Sequence, residues 1–280
     1  MTPFVAQRWN FWSGVITLVT LVCAVLWAFP LYWAIISSVK PEDEVVRTYV
    51  ELWPETLTLQ HYVHAVTATQ IGAWYLNSIV VAVGVTTICV FSSALCGYAI
   101  SQLRFPARTA LWWLILASFM VPLQALIINH FVLVARLGLI NTWAGIMLPQ
   151  LIHPVLIIVY KQFFDQVPRD FREAAVMDNA SEFAILFKVY LPMNWGVTTA
   201  LAIVCFIWTW NAFLWPFLSV TRTEMMTVTV GITQVNDAFG VYYARELAAA
   251  VLAALPVALA YLLFQRKVTE AITLSAGIKG

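Results

Sequence analysis

The chain has 280 residues, 62% of them hydrophobic and 10% charged, with a formal net charge of +1. Soluble domains carry about 25% charged and about 45–50% apolar residues, so a soluble globular domain is excluded. Without clustered Lys and Arg, a nucleic-acid surface is excluded as well.

Six apolar stretches are long enough to cross a bilayer core of about 30 Å, which takes about 20 helical residues. They cover residues 12–36, 76–100, 110–135, 143–160, 197–217 and 247–264. Lipid offers backbone groups no partners, and the period-2 alternation of a β-barrel is missing, so the spans are helices. The predicted fold class is an all-α polytopic membrane protein, a single transmembrane domain over residues 1–280. The first stretch is too long for a signal-peptide core and no small-residue cleavage site follows it, so it is expected to stay attached as an anchor. Pro30, Pro122, Pro149, Pro154, Pro216 and Pro256 fall in spans or at their ends, where kinks are expected.

Cys23, Cys89, Cys96 and Cys205 lie in apolar runs with no CxxC pair and no His at metal-ligand spacing along the chain. They read as packing residues, and no metal site is predicted.

Basic residues stay on the cytoplasmic side. One side collects Arg8, Arg104, Arg108, Lys161, Arg169, Arg172, Lys188, Arg266, Lys267 and Lys279; the other holds Lys40, Arg47, Arg136, Arg222 and Arg245. This bias puts both termini, residues 168–192 and the tail 265–280 in the cytoplasm. The loops 37–73, with Glu42, Asp43, Glu44, Glu51 and Glu55, and 219–246, with Thr221, Thr223, Asn236 and Asp237, then lie outside. Each is open to two readings, a solvated connector or a surface for an extracytoplasmic partner.

Residues 168–192 are a polar island between spans. Pro168 suits a helix start, Arg169 to Asp178 favour helix, and Ala174 and Ala175 allow close approach. Asn179 suits a left-handed position after the helix. Ser181 caps a second helix in which Phe183, Leu186, Phe187 and Tyr190 form one apolar face, ended by Pro192. This bent pair can fill a groove on a soluble partner or lie on the membrane surface. The mixed signs of Arg172, Glu173, Asp178 and Glu182 favour the groove, since lipid-seeking helices are rich in Lys and Arg.

Glu173-Ala174-Ala175, Asp178-Asn179-Ala180 and Leu191-Pro192 resemble the EAA signature of ABC importer permeases. Asn77-Ser78, Gly97-Tyr98-Ala99, Arg104-Phe105-Pro106, residues 121–124 (Val-Pro-Leu-Gln), 137–142, Trp210-Asn211, Leu214-Trp215-Pro216 and the ending 276–280 resemble the carbohydrate-uptake branch, closest to the second, six-span permease of maltose-type importers. The resemblance implies a coupling helix seated in a cleft of a cytoplasmic ATPase subunit. Glu173 would be the charged contact, Ala174 and Ala175 the close-packed positions, Asp178 to Ala180 the bend, and Leu191 and Pro192 the trailing motif; Arg172 and Phe183 join them as coupling candidates from the helix pair's own charge and apolar face. Asn179 stands where the family usually has Gly. The implied partners are a homologous permease, two ATPase subunits and an extracytoplasmic solute-binding protein, in a bacterial inner membrane. The tail 275–280 is open to two readings, a contact with the ATPase dimer or a flexible end.

No catalytic constellation is visible around His61, His64, His130 or His153. No GxxxxGK[ST] loop occurs, so ATP and Mg belong to the partner subunits and this chain is expected to bind no cofactor. Gln124, Asn129, Gln150, His153, Trp210 and Asn211 are the polar and aromatic candidates for lining a translocation path, with helix-to-helix hydrogen bonding as the competing reading. An ion-coupled transporter would place carboxylates within spans, and none of the six has one in its middle. A non-transporting membrane scaffold is the remaining alternative.

Overall fold

The computed structural model describes residues 11–49, 51–236 and 240–275, except for the side chains of 264 and 266–275. The first ten residues, Asp237 and the ending 276–280 therefore lie outside the described residues. The helices are α1 (Phe11–Ser38), α2 (Glu42–Val45), α3 (Gln60–Ala68), α4 (Ile71–Gln102), α5 (Arg108–Phe119), α6 (Leu123–Arg136), α7 (Trp143–Met147) and α8 (Pro154–Asp165). They continue with α9 (Arg169–Met177), α10 (Glu182–Ile185), α11 (Leu191–Met193), α12 (Trp195–Trp210), α13 (Leu214–Ser219), α14 (Val228–Gly231) and α15 (Tyr243–Ser275). No strand occurs among the described residues.

Three helices, α1, α4 and the Tyr243–Leu263 part of α15, are each long and apolar enough to cross a membrane. The other three expected spans are bent helix pairs, which gives up to six spans if each pair is one. α5 and α6 meet at 99°, Trp143–Gln150 and α8 at 50°, and Glu182–Met193 and α12 at 85°. The first two breaks follow from proline. Pro122 and Pro154 bar the preceding residue from helical geometry, and His153 is extended at φ −117°. The third lies at Asn194, whose side chain donates to the Tyr190 carbonyl at 2.9 Å. The expected fifth span, 197–217, is also cut at Trp210, with α13 a separate helix. Pro30 and Pro256 are accommodated inside unbroken helices.

Contacts divide the chain into two compact units. The first comprises residues up to Thr69 together with Gln234–Leu252. Here α1 buries only Ser37 and Ser38 and leaves Phe11, Trp12, Trp27 and Leu31 exposed, as a lipid-facing helix would. The acidic loop that follows is internally stapled. Lys40 and Glu44 are buried and lie 3.5 Å apart, and Lys40 Nζ also donates to the Glu51 carbonyl at 2.6 Å. Arg47 bridges Glu51 at 3.3 Å and Glu55 at 3.0 Å. Glu42 accepts from the Tyr243 and Ala244 N–H groups at 2.7 and 2.9 Å, capping the start of α15, where the helix dipole favours an anion.

The second unit comprises Gln70–Thr233 and the chain from Ala253. Its centre is α4 packed against α8 and α12. Gly97 makes the α4–α8 approach possible, since a Cβ there would lie 2.7 Å from that of Tyr160. At the other end of α4, buried Asn77 donates to the Glu224 and Met226 carbonyls at 2.8 and 3.0 Å and accepts from Trp143 Nε1 at 2.8 Å. Ser78 Oγ accepts from Val228 N–H at 2.8 Å. These two side chains satisfy backbone groups of residues 223–228 that no regular helix pairs. Asn141, at φ 61°, does the same for Thr221 and Arg222, whose N–H groups it accepts at 2.7 and 2.9 Å.

Candidate functional site

The polar island folds as the local signals dictate. α9 starts after Pro168 and ends at Met177, and Asn179 is left-handed at φ 56°. Ala180 N–H donates to the Ala175 carbonyl and Asn179 N–H to the Val176 carbonyl, both at 3.0 Å. This paired closure is a Schellman motif with Asn in the position that usually takes Gly. Ser181 Oγ then accepts from Ala184 N–H at 3.3 Å and caps α10.

The expected single apolar face of the second helix is corrected. Pro192 lacks an N–H, which leaves the Lys188 carbonyl without its helical partner, and the turn at residues 186–190 widens to a π turn. The extra residue rotates the face, so Ile185, Leu186 and Tyr190 are buried while Phe183 and Phe187 are exposed. Phe187 stacks instead on Phe91 at 6.0 Å.

Beneath the bent pair is an aromatic seat. Tyr190 meets Tyr98 at 5.1 Å and Phe164 at 5.5 Å, both edge to face, and Phe164 meets Tyr160 at 5.3 Å. Ala94, Val167, Ile185 and Leu186 complete this cluster, against which Ala175, Ala180 and Leu191 pack. Such edge contacts add about 0.5–1.5 kcal/mol each beyond burial. A polar bridge runs beside it, in which Arg172 pairs with Glu182 and Tyr98 donates to Glu182 Oε2 at 2.5 Å. Glu182 thus links α9 to α4 through one carboxylate. The sequence reading missed Tyr98 as its partner, because their pairing crosses 84 residues and leaves no local signature.

The opposite side is open. Phe171, Met177 and Phe183 are 50%, 81% and 64% exposed, and Glu173, Ala174, Asp178 and Asn179 are exposed among them. Ala174 and Ala175 therefore separate, Ala175 against the chain's own core and Ala174 outward. Arg172 likewise serves the intramolecular bridge, whereas Glu173 takes part in none of the ion pairs among the described residues. Glu173 and Asp178 stand in this exposed apolar patch, whereas the polar face of a lipid-seeking helix is rich in Lys and Arg.

The candidate path residues do not gather into one site. Trp210 is buried and donates to the Ala253 carbonyl at 3.2 Å, Asn211 to Ile207 and Gln150 to Ile146, each at 2.9 Å. The first bond joins α12 to α15, and the other two close back onto the preceding turn of their own segment. Gln124 and Asn129 are exposed on α6, and His153 sits at the break before α8 with its ring 5.8 Å from Trp208. Open cavities of about 280 and 210 Å³, lined respectively by residues including Val90, Phe91 and Tyr160 and by His130, Leu148 and Ile152, contain none of the six.

Residues 90–269 match the family model described as "Binding-protein-dependent transport system inner membrane component". The arabinooligosaccharides transport system permease protein AraQ of Bacillus subtilis is 29% identical over 268 residues, 95% of each chain. The sn-glycerol-3-phosphate transport system permease protein UgpE of Rhizobium meliloti is 29% identical, covering 79% of this chain and 80% of its own. The diacetylchitobiose uptake system permease protein NgcG of Streptomyces coelicolor is 29% identical, covering 89% and 85%. A chain from the crystal structure of a bacterial ABC transporter involved in the import of the acidic polysaccharide alginate superposes with a TM-score of 0.83 at 22% identity, covering 95% of this chain and 99% of that one.

Proposed function

The chain belongs to the family of binding-protein-dependent transport system inner membrane components, and from that premise we propose that it is the permease subunit of a sugar or sugar-derivative importer. It pairs with a homologous permease, two cytoplasmic ATPase subunits and an extracytoplasmic solute-binding protein. Both termini and the α9–α10 turn face the cytoplasm. ATP and Mg are on the partner subunits, and hydrolysis is theirs. The cargo class rests on the relatives, whose names specify arabinooligosaccharides, diacetylchitobiose and sn-glycerol-3-phosphate.

The observation that carries the coupling role is the two-sided construction of the bent helix pair. Its outer side offers Phe171, Glu173, Met177, Asp178 and Phe183 to a partner, and its inner side is fixed to α4 and α8 by the aromatic seat and Glu182. ATP-driven closure of the partner subunits moves the pair, and α4 and α8 move with it between inward-open and outward-open arrangements. The partner's energy enters through contacts that differ between those two states.

The test is co-expression of the chain with its ATPase subunit. The ATPase is expected to co-purify, and Glu173→Arg is expected to release it or to uncouple its activity from cargo-loaded binding protein, with folding of the chain unchanged. Uptake driven by an ion gradient without ATP would overturn the reading in favour of an ion-coupled transporter.

A further inference from the structure

Three side chains that are far apart in sequence converge in the second unit. Cys89 on α4, His153 at the break before α8 and Cys205 on α12 bring one ligand atom each to within 4.8 Å of one another. Both cysteines are fully buried and His153 is half-buried. The two helices carrying the thiols contain no Asp, Glu, Lys or Arg.

The donor set is selective. Two thiolates and an imidazole are soft N/S ligands, suited to thiophilic metals and unsuited to Mg or Ca. Charge narrows the choice further, because a divalent ion with two thiolates is neutral, whereas a monovalent one leaves an uncompensated anion among apolar helices. Zn–S bonds of about 2.3 Å and Zn–N bonds of about 2.0–2.1 Å in a tetrahedral site place donors about 3.5–3.8 Å apart. The observed cluster reaches that spacing with shifts of about 1 Å or less.

We propose that Cys89, His153 and Cys205 form a binding site for a divalent thiophilic cation of the zinc class. Binding exchanges the two thiol protons, which leave to solvent, for the metal, and no electron is transferred. Cys89 Sγ now donates to the Leu151 and Gln150 carbonyls at 3.1 and 3.7 Å. The Leu151 carbonyl, which accepts from Cys89, and the Thr86 hydroxyl, a side-chain neighbour of Cys205, are the oxygens at hand for a fourth position. Trp208 lies edge-on to the His153 ring at 5.8 Å and holds its plane. His153 is the least buried ligand and marks the entry side. The ion joins α4 and α12 to the break at residues 151–153 and so fixes the angle between Trp143–Gln150 and α8.

The test uses the full-length chain in lipid nanodiscs under a non-thiol reductant, with Cd²⁺ as the ultraviolet probe and Zn²⁺ counted by elemental mass spectrometry. Wild type is expected to bind about one equivalent with a Cd–thiolate absorption band. The Cys89→Ser/Cys205→Ser double variant is expected to lose it, Cys23→Ser/Cys96→Ser to keep it, and His153→Ala to weaken it at least about tenfold. Should the double serine variant not fold, wild type alone decides the question, because Zn²⁺ is expected to slow maleimide alkylation of Cys89 and Cys205 while leaving exposed Cys23 unchanged. No band in wild type, a band that survives in the double variant, equal alkylation rates with and without Zn²⁺, or a native Cys89–Cys205 disulfide would each overturn the site.

Discussion

The loop between α1 and α4 and the turn between α9 and α10 are both charged islands in an apolar chain, yet they use their charges in opposite ways. In the loop, Lys40, Glu44, Arg47, Glu51 and Glu55 satisfy one another and Glu42 caps a helix. In the turn, a single bridge, Arg172–Glu182, is internal, and Glu173 and Asp178 stand exposed beside Phe171, Met177 and Phe183. Inward-directed charge makes a region rigid. Outward-directed charge set in apolar surface makes it available to a partner.

The contrast is broken most forcefully at the turn. Phe171→Ser combined with Met177→Ser is expected to reduce ATPase retention more than about tenfold, because exposed aromatic anchors carry most of an interface's energy; the chain's own unfolding temperature should hold, since both side chains are exposed. Phe164→Ala removes the seat instead of the surface. It should cost about 3–5 kcal/mol of stability, read by chemical denaturation in detergent.

In the loop, Lys40→Met leaves Glu44 buried without its ammonium partner and should destabilise that region by about 1–3 kcal/mol, seen as faster proteolysis between α1 and α3. A pH series sharpens the same point. Burial opposes ionisation of Glu44, but the Glu55 N–H and the Lys40 ammonium more than offset it and hold the carboxyl below its ordinary value of 4.5. A depressed folded value contributes stability that is present above the ordinary one and is lost as pH falls through the folded one. Proteolytic protection of the loop should therefore persist at neutral pH and disappear below about pH 4.5, and Glu44→Gln should flatten that dependence. The smallest effect is at Asn179. Replacement by Gly relieves the left-handed strain and should stabilise by about 1 kcal/mol or less, and Asn179→Val should destabilise by about 1–2 kcal/mol.

What the sequence revealed and what it hid divide along the same physical line. Pro168, Asn179 and Ser181 act within a turn of their own position, so the helix start, the left-handed bend and the second cap were legible. The π turn was not, because Pro192 acts on a carbonyl four residues earlier and rotates the face of Phe183 and Phe187. Hydropathy located the membrane segments and proline marked Pro122 and Pro154 as places to kink, but neither gives an angle, and the 85° break at Asn194 has no proline at it to announce it. The seat of Tyr98, Phe164 and Tyr190, the capping of α15 by Glu42 and the meeting of Cys89, His153 and Cys205 all depend on tertiary contacts that no local spacing encodes.

The central claim is that the exposed side of the α9–α10 turn is where the ATPase docks. A photo-crosslinking side chain placed at Met177 in the assembled complex tests it most directly, with the same group at exposed Leu57 as the comparison. Met177 is expected to crosslink to the ATPase subunit in a yield that changes on ATP addition, and Leu57 is expected to give no such product. An ATPase adduct absent at Met177, or equally abundant at Leu57, would contradict it.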